Sequence, residues 1–193
     1  MEGIRCFGAG DPLYARYHDE EWGRPVVDER GLYERVSLEA FQSGLSWITI
    51  LRKREAFRAA FAGFDPERVA DFGEADVQRL LADAGIVRNL QKIEATIANA
   101  RAVLALRDAD RSFAELVLAH KPAERAAPTD FSVVPGSTPE STALAKALKL
   151  SGFRFVGPTT AYALQQAVGH VNDHLADCFV RDDVEAERKR VFG

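Results

Sequence analysis

Thiols are scarce in this chain: its 193 residues include two cysteines, Cys6 near the beginning and Cys178 near the end. Small secreted domains rely on several crosslinks, and a lone pair in a reducing compartment is not expected to form a structural disulfide. Free thiols, metal ligands or a nucleophile are what remain. Long apolar runs are missing as well. No stretch approaches the roughly 20 apolar residues of a membrane span, and Met1-Glu2-Gly3-Ile4-Arg5-Cys6 contains nothing that could serve as a secretory leader. A cytoplasmic monomer with no membrane partner is expected. Acids are absent from Ser141 to Asn172, a stretch that carries Lys146, Lys149 and Arg154, whereas residues 11 to 39 hold eight acids against four bases. A net charge of −4 argues against a general nucleic-acid binder, but the uneven spread leaves room for a local basic face. Repeats, linkers and low-complexity tracts are also lacking, so one compact domain over residues 1–193 is expected, with 47% apolar residues for its core.

Strand patterns are equally hard to find, and what is present reads as all-α. Asp11-Pro12 is a cap followed by proline at the first helical position, opening a short helix that puts Tyr14, Tyr17 and His18 on one face. Asp28, Ser46, Asp65-Pro66, Ser112 with Glu115, Thr138-Pro139 and Gly157-Pro158 mark further helix starts. Lys121 to Thr138 is the one long irregular segment, and Arg181 to Gly193 reads as charged and loosely ordered.

The pattern is organised around Leu38-Glu39-Ala40-Phe41-Gln42-Ser43-Gly44-Leu45-Ser46-Trp47. Glu39 falls seven residues after Leu32 and three after Val36, on the apolar stripe of its helix. Burying an unpartnered carboxylate costs several kcal/mol, roughly, so it is either a helix-edge residue paired with Arg35 or a pocket carboxylate held for a ligand. Gly44 stands where a left-handed residue ends a helix, Ser46 where a cap begins the next, and Leu45 is left at the corner as a candidate wedge.

Two further features carry chemistry. Residues 74 to about 106 read as helix, four-residue hairpin after Gly85, and helix, a helix-hairpin-helix pattern. Backbone N–H groups at Gly85 and Ile86, with Arg88 and Lys92 nearby, suit a DNA phosphate. An ordinary helical corner reads the same way. At the termini, His174 and Cys178 are four apart, and Cys6 lies twelve before His18. These would make a closed tetrahedral zinc site joining both ends of the chain, with His170 as a rival ligand and two unrelated buried cysteines as the bland alternative.

Taken together, Asp11-Pro12-Leu13-Tyr14 with Tyr17-His18, Glu21-Trp22-Gly23, Leu38-Glu39, Ser43 to Thr49, Asp83 to Ile86, Gly152-Phe153 with Phe155-Val156-Gly157, and Val171 to His174 resemble the DNA-3-methyladenine glycosylase I family, within the helix-hairpin-helix superfamily of base-excision enzymes. The likeness spans nearly the whole chain. It implies two helical lobes with a base pocket between them, and a structural zinc on Cys6, His18, His174 and Cys178. It also implies removal of 3-methyladenine from alkylated double-stranded DNA, with the free base as product. The pocket residues it implies are Tyr14, Tyr17, Glu39 and Trp47, to which Trp22 adds another π face. The chain departs from the pattern at Phe7-Gly8, where a tryptophan is expected, and at Asn89-Leu90-Gln91, where a further basic or small residue is.

An enzyme acting on a base must flip it from the duplex. Leu45, flanked by Gly44, would fill the gap, aromatic faces would hold the base, and Glu39 would accept its hydrogen bonds. A base methylated at N3 is cationic, so it leaves without a strong general acid, and no lysine is implied as a covalent nucleophile. Hydrolysis by water without strand cleavage is expected. The rival readings are a zinc-stapled module that binds DNA or damaged bases without cutting, and a metal hydrolase using the His/Cys site.

Overall fold

The computed structural model describes residues 4–193, so the Met1-Glu2-Gly3 part of the leader reading lies outside the described residues. The chain forms α1 (Pro12–Glu20), α2 (Glu29–Gln42), α3 (Trp47–Ala60), α4 (Pro66–Ala70), α5 (Glu74–Ala82), α6 (Leu90–Asp108), α7 (Phe113–Leu118), α8 (Pro139–Leu150), α9 (Pro158–Ala167) and α10 (Arg181–Phe192). The only β-pairing among the described residues is a lone parallel bridge between Ile4 and Cys178, which lays the two ends of the chain side by side. None of these helices is long and apolar enough to cross a membrane.

Most of the start signals act as read. Asp11 accepts from the backbone N–H groups of Leu13 and Tyr14, Asp28 from Gly31, Asp65 from Glu67, and Thr138 exchanges bonds with Ser141. Helix α2 runs through the middle of the main apolar core: Leu32, Tyr33, Val36, Leu38 and Phe41 are fully buried, packed against α3, α6 and α9. A smaller cluster of Tyr17, Trp22 and Leu51, with Phe7, Tyr14 and Trp47 against it, sets α1 onto α3. That second cluster is the scaffold of the site.

Three details correct the sequence reading. Helix α5 stops at Ala82, not just before Gly85, because the Asp83 carboxylate accepts from the Gly85 N–H at 2.7 Å and offers the backbone a local alternative to another helical turn. The connection to α6 therefore runs from Asp83 to Asn89. Ser46 holds the cap position of α3, but its hydroxyl bonds Thr49 Oγ1 at 2.8 Å and caps no backbone N–H. The C-terminal stretch, read as loose, is helix α10. It is secured by burial of Val184 and by Arg188, whose guanidinium donates to the carbonyls of Gly169 (2.7 Å) and His170 (3.1 Å) and to Glu185 (2.6 Å). An arginine that satisfies three acceptors while burying its stem anchors the helix, a role its charge concealed in the sequence.

Candidate functional site

Helix α1 and the turn after it contribute Tyr14, Tyr17 and Trp22 to a cavity of about 290 Å³. Glu39 and Gln42 enter from α2, Trp47 from α3, and Ala163 and Gln166 from α9. All five aromatic and acidic residues assigned to a base pocket from sequence thus share one cavity. The Tyr17 and Trp47 rings are 5.3 Å apart. Phe7, at the departure from the family pattern, joins the wall 4.9 Å from the Tyr14 ring and 5.0 Å from the Trp22 ring. The sequence reading missed Gln42, Ala163, Gln166 and Phe131; nothing in their local pattern points to a cavity.

Glu39 is 7% exposed, and among the described residues no hydrogen bond or ion pair reaches its carboxylate. Desolvation pushes its pKa up to about 8, against a smaller downward pull from Arg35. Arg35 does not bond it. One Arg35 amine donates to Glu21 at 3.2 Å and the other is buried without a partner. Glu21 is clamped by Arg54 through bonds of 2.5 and 2.9 Å, so the neighbouring cations serve Glu21 and leave Glu39 open to the cavity. A second unsatisfied polar group in the wall is the buried Trp47 indole N–H. Unpaired buried polar groups cost about 1–3 kcal/mol each, and natural structures retain them where a ligand will meet them or where strain serves a function.

The corner beside this cavity is built as the sequence implies. Gly44 has φ of +80°, and Leu45 is 38% exposed, its carbonyl accepting from Gln42 Nε2 at 2.8 Å. Lys92, expected beside the hairpin as a phosphate contact, is 7% exposed and donates to the carbonyls of Phe41 (2.9 Å) and Ser43 (2.6 Å). It caps the C-terminal end of α2, where orphan carbonyls and the helix dipole favour a cation, and so secures the corner bearing Leu45. Lys92→Met should cost about 1–3 kcal/mol of stability and slow any reaction that uses the corner. Because Lys92 meets no phosphate, the dependence of DNA affinity on salt should not change; a fall of about one in the slope of log affinity against log salt would show a phosphate contact instead.

The rest of the expected hairpin is also largely occupied. Ile86 is buried, Gly85 N–H is bonded to Asp83, and Lys53 donates to the carbonyls of Ala84 and Gly85. Of the expected hairpin contacts, Arg88 is the one whose side chain is exposed and has no partner among the described residues. The α8–α9 connection is freer. Gly157 starts α9 with no side-chain cap, leaving first-turn N–H groups without intrahelical acceptors. Lys149 and Arg154 are exposed close by, and with Ser43 and Thr160 they line a cleft of about 600 Å³. The acid-free stretch noted in the sequence is thus brought against the Leu45 corner, an arrangement that periodicity alone does not reveal.

At the termini, ligand atoms of Cys6, His18, His174 and Cys178 all lie within 4.8 Å of one another. His18 Nε2 is 3.2 Å from His174 Nδ1 and 3.4 Å from Cys178 Sγ, and His174 Nδ1 is 3.5 Å from Cys178 Sγ and 3.6 Å from Cys6 Sγ. A metal with bonds of about 2.0–2.1 Å to nitrogen and 2.3 Å to sulfur produces tetrahedral edges of this size. The far nitrogens are also placed for it: His18 Nδ1 lies 2.7 Å from Asp19 and His174 Nε2 lies 3.0 Å from the Trp22 carbonyl. Both partners accept a proton, leaving the inner nitrogens bare to bind. Desolvation pushes the Cys6 thiol up to about 12, so a thiolate there needs a cation beside it. His170 is no rival. Its ring packs edge-on against Phe192 at 5.1 Å, outside the cluster.

A family model for methyladenine glycosylases matches residues 7–181. The chain belongs to the methyladenine glycosylase family. DNA-3-methyladenine glycosylase 1 of Escherichia coli is 50% identical over 171 residues, covering 87% of this chain and 91% of that one. The Haemophilus influenzae DNA-3-methyladenine glycosylase is 43% identical over 178 residues, covering 90% and 96%. A crystal structure of 3-methyladenine DNA glycosylase I superposes with a TM-score of 0.88 at 50% identity, over 91% of this chain and 98% of that chain. A variant of 3-methyladenine DNA glycosylase I in complex with 3-methyladenine superposes at 0.86 with 36% identity, over 92% and 96%. The family match ends at the first residue of α10, so the remainder of that helix lies beyond it.

Proposed function

We propose that this chain is a monofunctional DNA repair glycosylase that hydrolyses the N-glycosidic bond of 3-methyladenine in alkylated duplex DNA. The observation that carries the proposal is Glu39, a buried carboxylate with no protein partner, set in a cavity walled by aromatic rings. A cationic base answers both features: its charge restores the ionised carboxylate, and its faces meet π surfaces. Neutral adenine offers no such charge. The relatives named for 3-methyladenine, and the variant whose structure contains it, support the same substrate.

Leaving-group activation comes from the methylated base itself, so the chain's own task is to extract, orient and retain it. The Lys149 and Arg154 cleft and the uncapped start of α9 grip phosphates, with Arg88 as a further contact. Leu45 enters the stack behind the departing base. Water then completes the displacement. No lysine is among the residues lining the cavity, which supports hydrolysis without a covalent sugar adduct or strand cleavage. Cys6, His18, His174 and Cys178 hold a zinc ion that fastens the two ends of the chain. With four protein ligands it has a structural role.

Leu45→Ala should leave the melting temperature nearly unchanged, within about 0.5 kcal/mol as for an exposed position. It should slow excision from duplex more than from single-stranded DNA; equal losses on both would argue against insertion. The substrate assignment is tested by quenching of Trp22 and Trp47 fluorescence with free bases. 3-Methyladenine should quench at concentrations where adenine does not, and indistinguishable curves for the two would contradict the proposal.

A further inference from the structure

We infer that Phe131 determines specificity, acting as an aromatic cover that retains a cationic base over Glu39. This rests on the base pocket proposed above, but on a residue outside the helices that build it. Phe131 lies in the irregular segment between α7 and α8, on a short 3-10 turn (Phe131–Val133), and lines the same cavity as Glu39. Its ring is 6.3 Å from that of Phe7 and 6.4 Å from that of Trp22.

The placement is held by tertiary bonds in the stretch before the ring and by a closed turn around it. The Pro128 carbonyl accepts from Ala176 N–H at 2.9 Å, next to the metal-ligand segment. Earlier in the segment, Arg125 donates to Asp173, a buried carboxylate that also accepts from Tyr162 OH at 2.6 Å and from cavity-lining Gln166 at 2.8 Å. The turn itself is closed by Asp130, which accepts from Ser132 N–H at 2.7 Å, and by a bond from Val134 N–H to the Phe131 carbonyl at 3.2 Å. A residue on a long loop is thereby presented at a fixed place on the rim.

Phe131 is 40% exposed, so its ring has area left to lose when a base is seated. Scattered exposed apolar residues are ordinary on protein surfaces. Phe131 differs because the space its ring overlooks also contains a desolvated carboxylate. A ring beside a cation gains from charge–quadrupole attraction as well as from burial, whereas beside a neutral purine it gains from burial alone. Phe131 should accordingly favour flipped 3-methyladenine, cationic while still joined to the sugar, over adenine; the electron pair of the broken bond then neutralises the base, so the effect falls on seating the nucleotide more than on bond cleavage. Val133 is the internal control, since it is more exposed and lies on the same turn yet does not line the cavity.

The original chain is titrated with free 3-methyladenine and adenine, and four variants, Phe131→Ala, Phe131→Leu, Phe131→Tyr and Val133→Ala, are assayed beside it for single-turnover excision over a range of methylated-duplex concentrations, which gives affinity for the attached, cationic base, with melting temperatures recorded. Phe131→Ala should need about tenfold more methylated duplex for half-maximal single-turnover excision, with the saturating single-turnover rate changed less than about threefold and melting nearly unaltered, as for an exposed site. Phe131→Tyr should restore affinity and Phe131→Leu should not, which separates an aromatic face from a merely apolar cover. Val133→Ala should match the original chain. Unchanged affinity in Phe131→Ala, or full restoration by leucine, overturns the inference while leaving the pocket assignment in place. Failure of the original chain to bind 3-methyladenine overturns the pocket assignment itself, and this inference with it.

Discussion

Replacing Glu39 by glutamine should slow excision of 3-methyladenine by roughly 5- to 150-fold, the equivalent of the 1–3 kcal/mol of a hydrogen bond to a charged group, while making the free protein more stable. The two effects share one cause. Desolvation holds the folded-state pKa near 8, well above the ordinary glutamate value. The folded chain therefore binds the Glu39 proton more tightly than the unfolded chain does. Stability is fully present below about pH 4.5, the ordinary value, and is lost as pH rises toward 8, by an amount on the order of 3–5 kcal/mol. Glutamine has no charge to desolvate. Its advantage in melting temperature should grow from pH 5 to 8 and level off beyond. The kinetic counterpart is a kcat/KM that climbs with pH in the original chain as Glu39 ionises and flattens above about pH 8, a limb the glutamine variant should lack. Were Glu39 only a structural partner, the variant would melt lower and the folded fraction would excise at the original rate.

The other large effect should follow loss of the proposed metal. Cys178→Ser removes one of the four proposed ligands and leaves a half-buried thiol and two buried imidazoles without the cation proposed to sit among them. A stability loss on the order of 3–5 kcal/mol is expected, lowering the melting temperature by roughly 10 °C for a chain of this size. The damage should concentrate at the ends, because the bridge between Ile4 and Cys178 and the bond from Leu175 N–H to Cys6 Sγ depend on the same cluster. Any loss of excision should track unfolding. Freshly purified protein without zinc by elemental analysis would contradict this part of the account.

The features legible in the sequence were those with a local or periodic signature. Glu39 showed as a charge on an apolar stripe, Gly44 and Leu45 as a left-handed stop with an apolar residue after it, and the candidate metal ligands as the only cysteines with histidines at workable spacing. The family resemblance then joined them. Misreadings arose where a charged residue does something other than face water. Lys92 satisfies carbonyls at the end of a helix distant in sequence, and Arg188 satisfies carbonyls under α10. Lys92 was read as a phosphate contact and the stretch holding Arg188 as loose, because the carbonyls they satisfy are backbone atoms, which carry no sequence signal. Phe131 and Gln166 reach the cavity only through tertiary placement. The acid-free stretch was visible as composition, yet its position against the Leu45 corner depends on how α8 and α9 pack.

The central claim is that this chain breaks one bond in alkylated DNA and no other. Duplex DNA treated with a methylating agent is incubated with the purified protein, every released base is identified by chromatography, and the strands are sized before and after alkali. Free 3-methyladenine as the main product, with strands that break only upon alkali treatment, is the expected result. Retention of all bases despite tight binding would make the chain a non-cutting recognition module, and strand breaks without alkali would contradict hydrolysis by water alone.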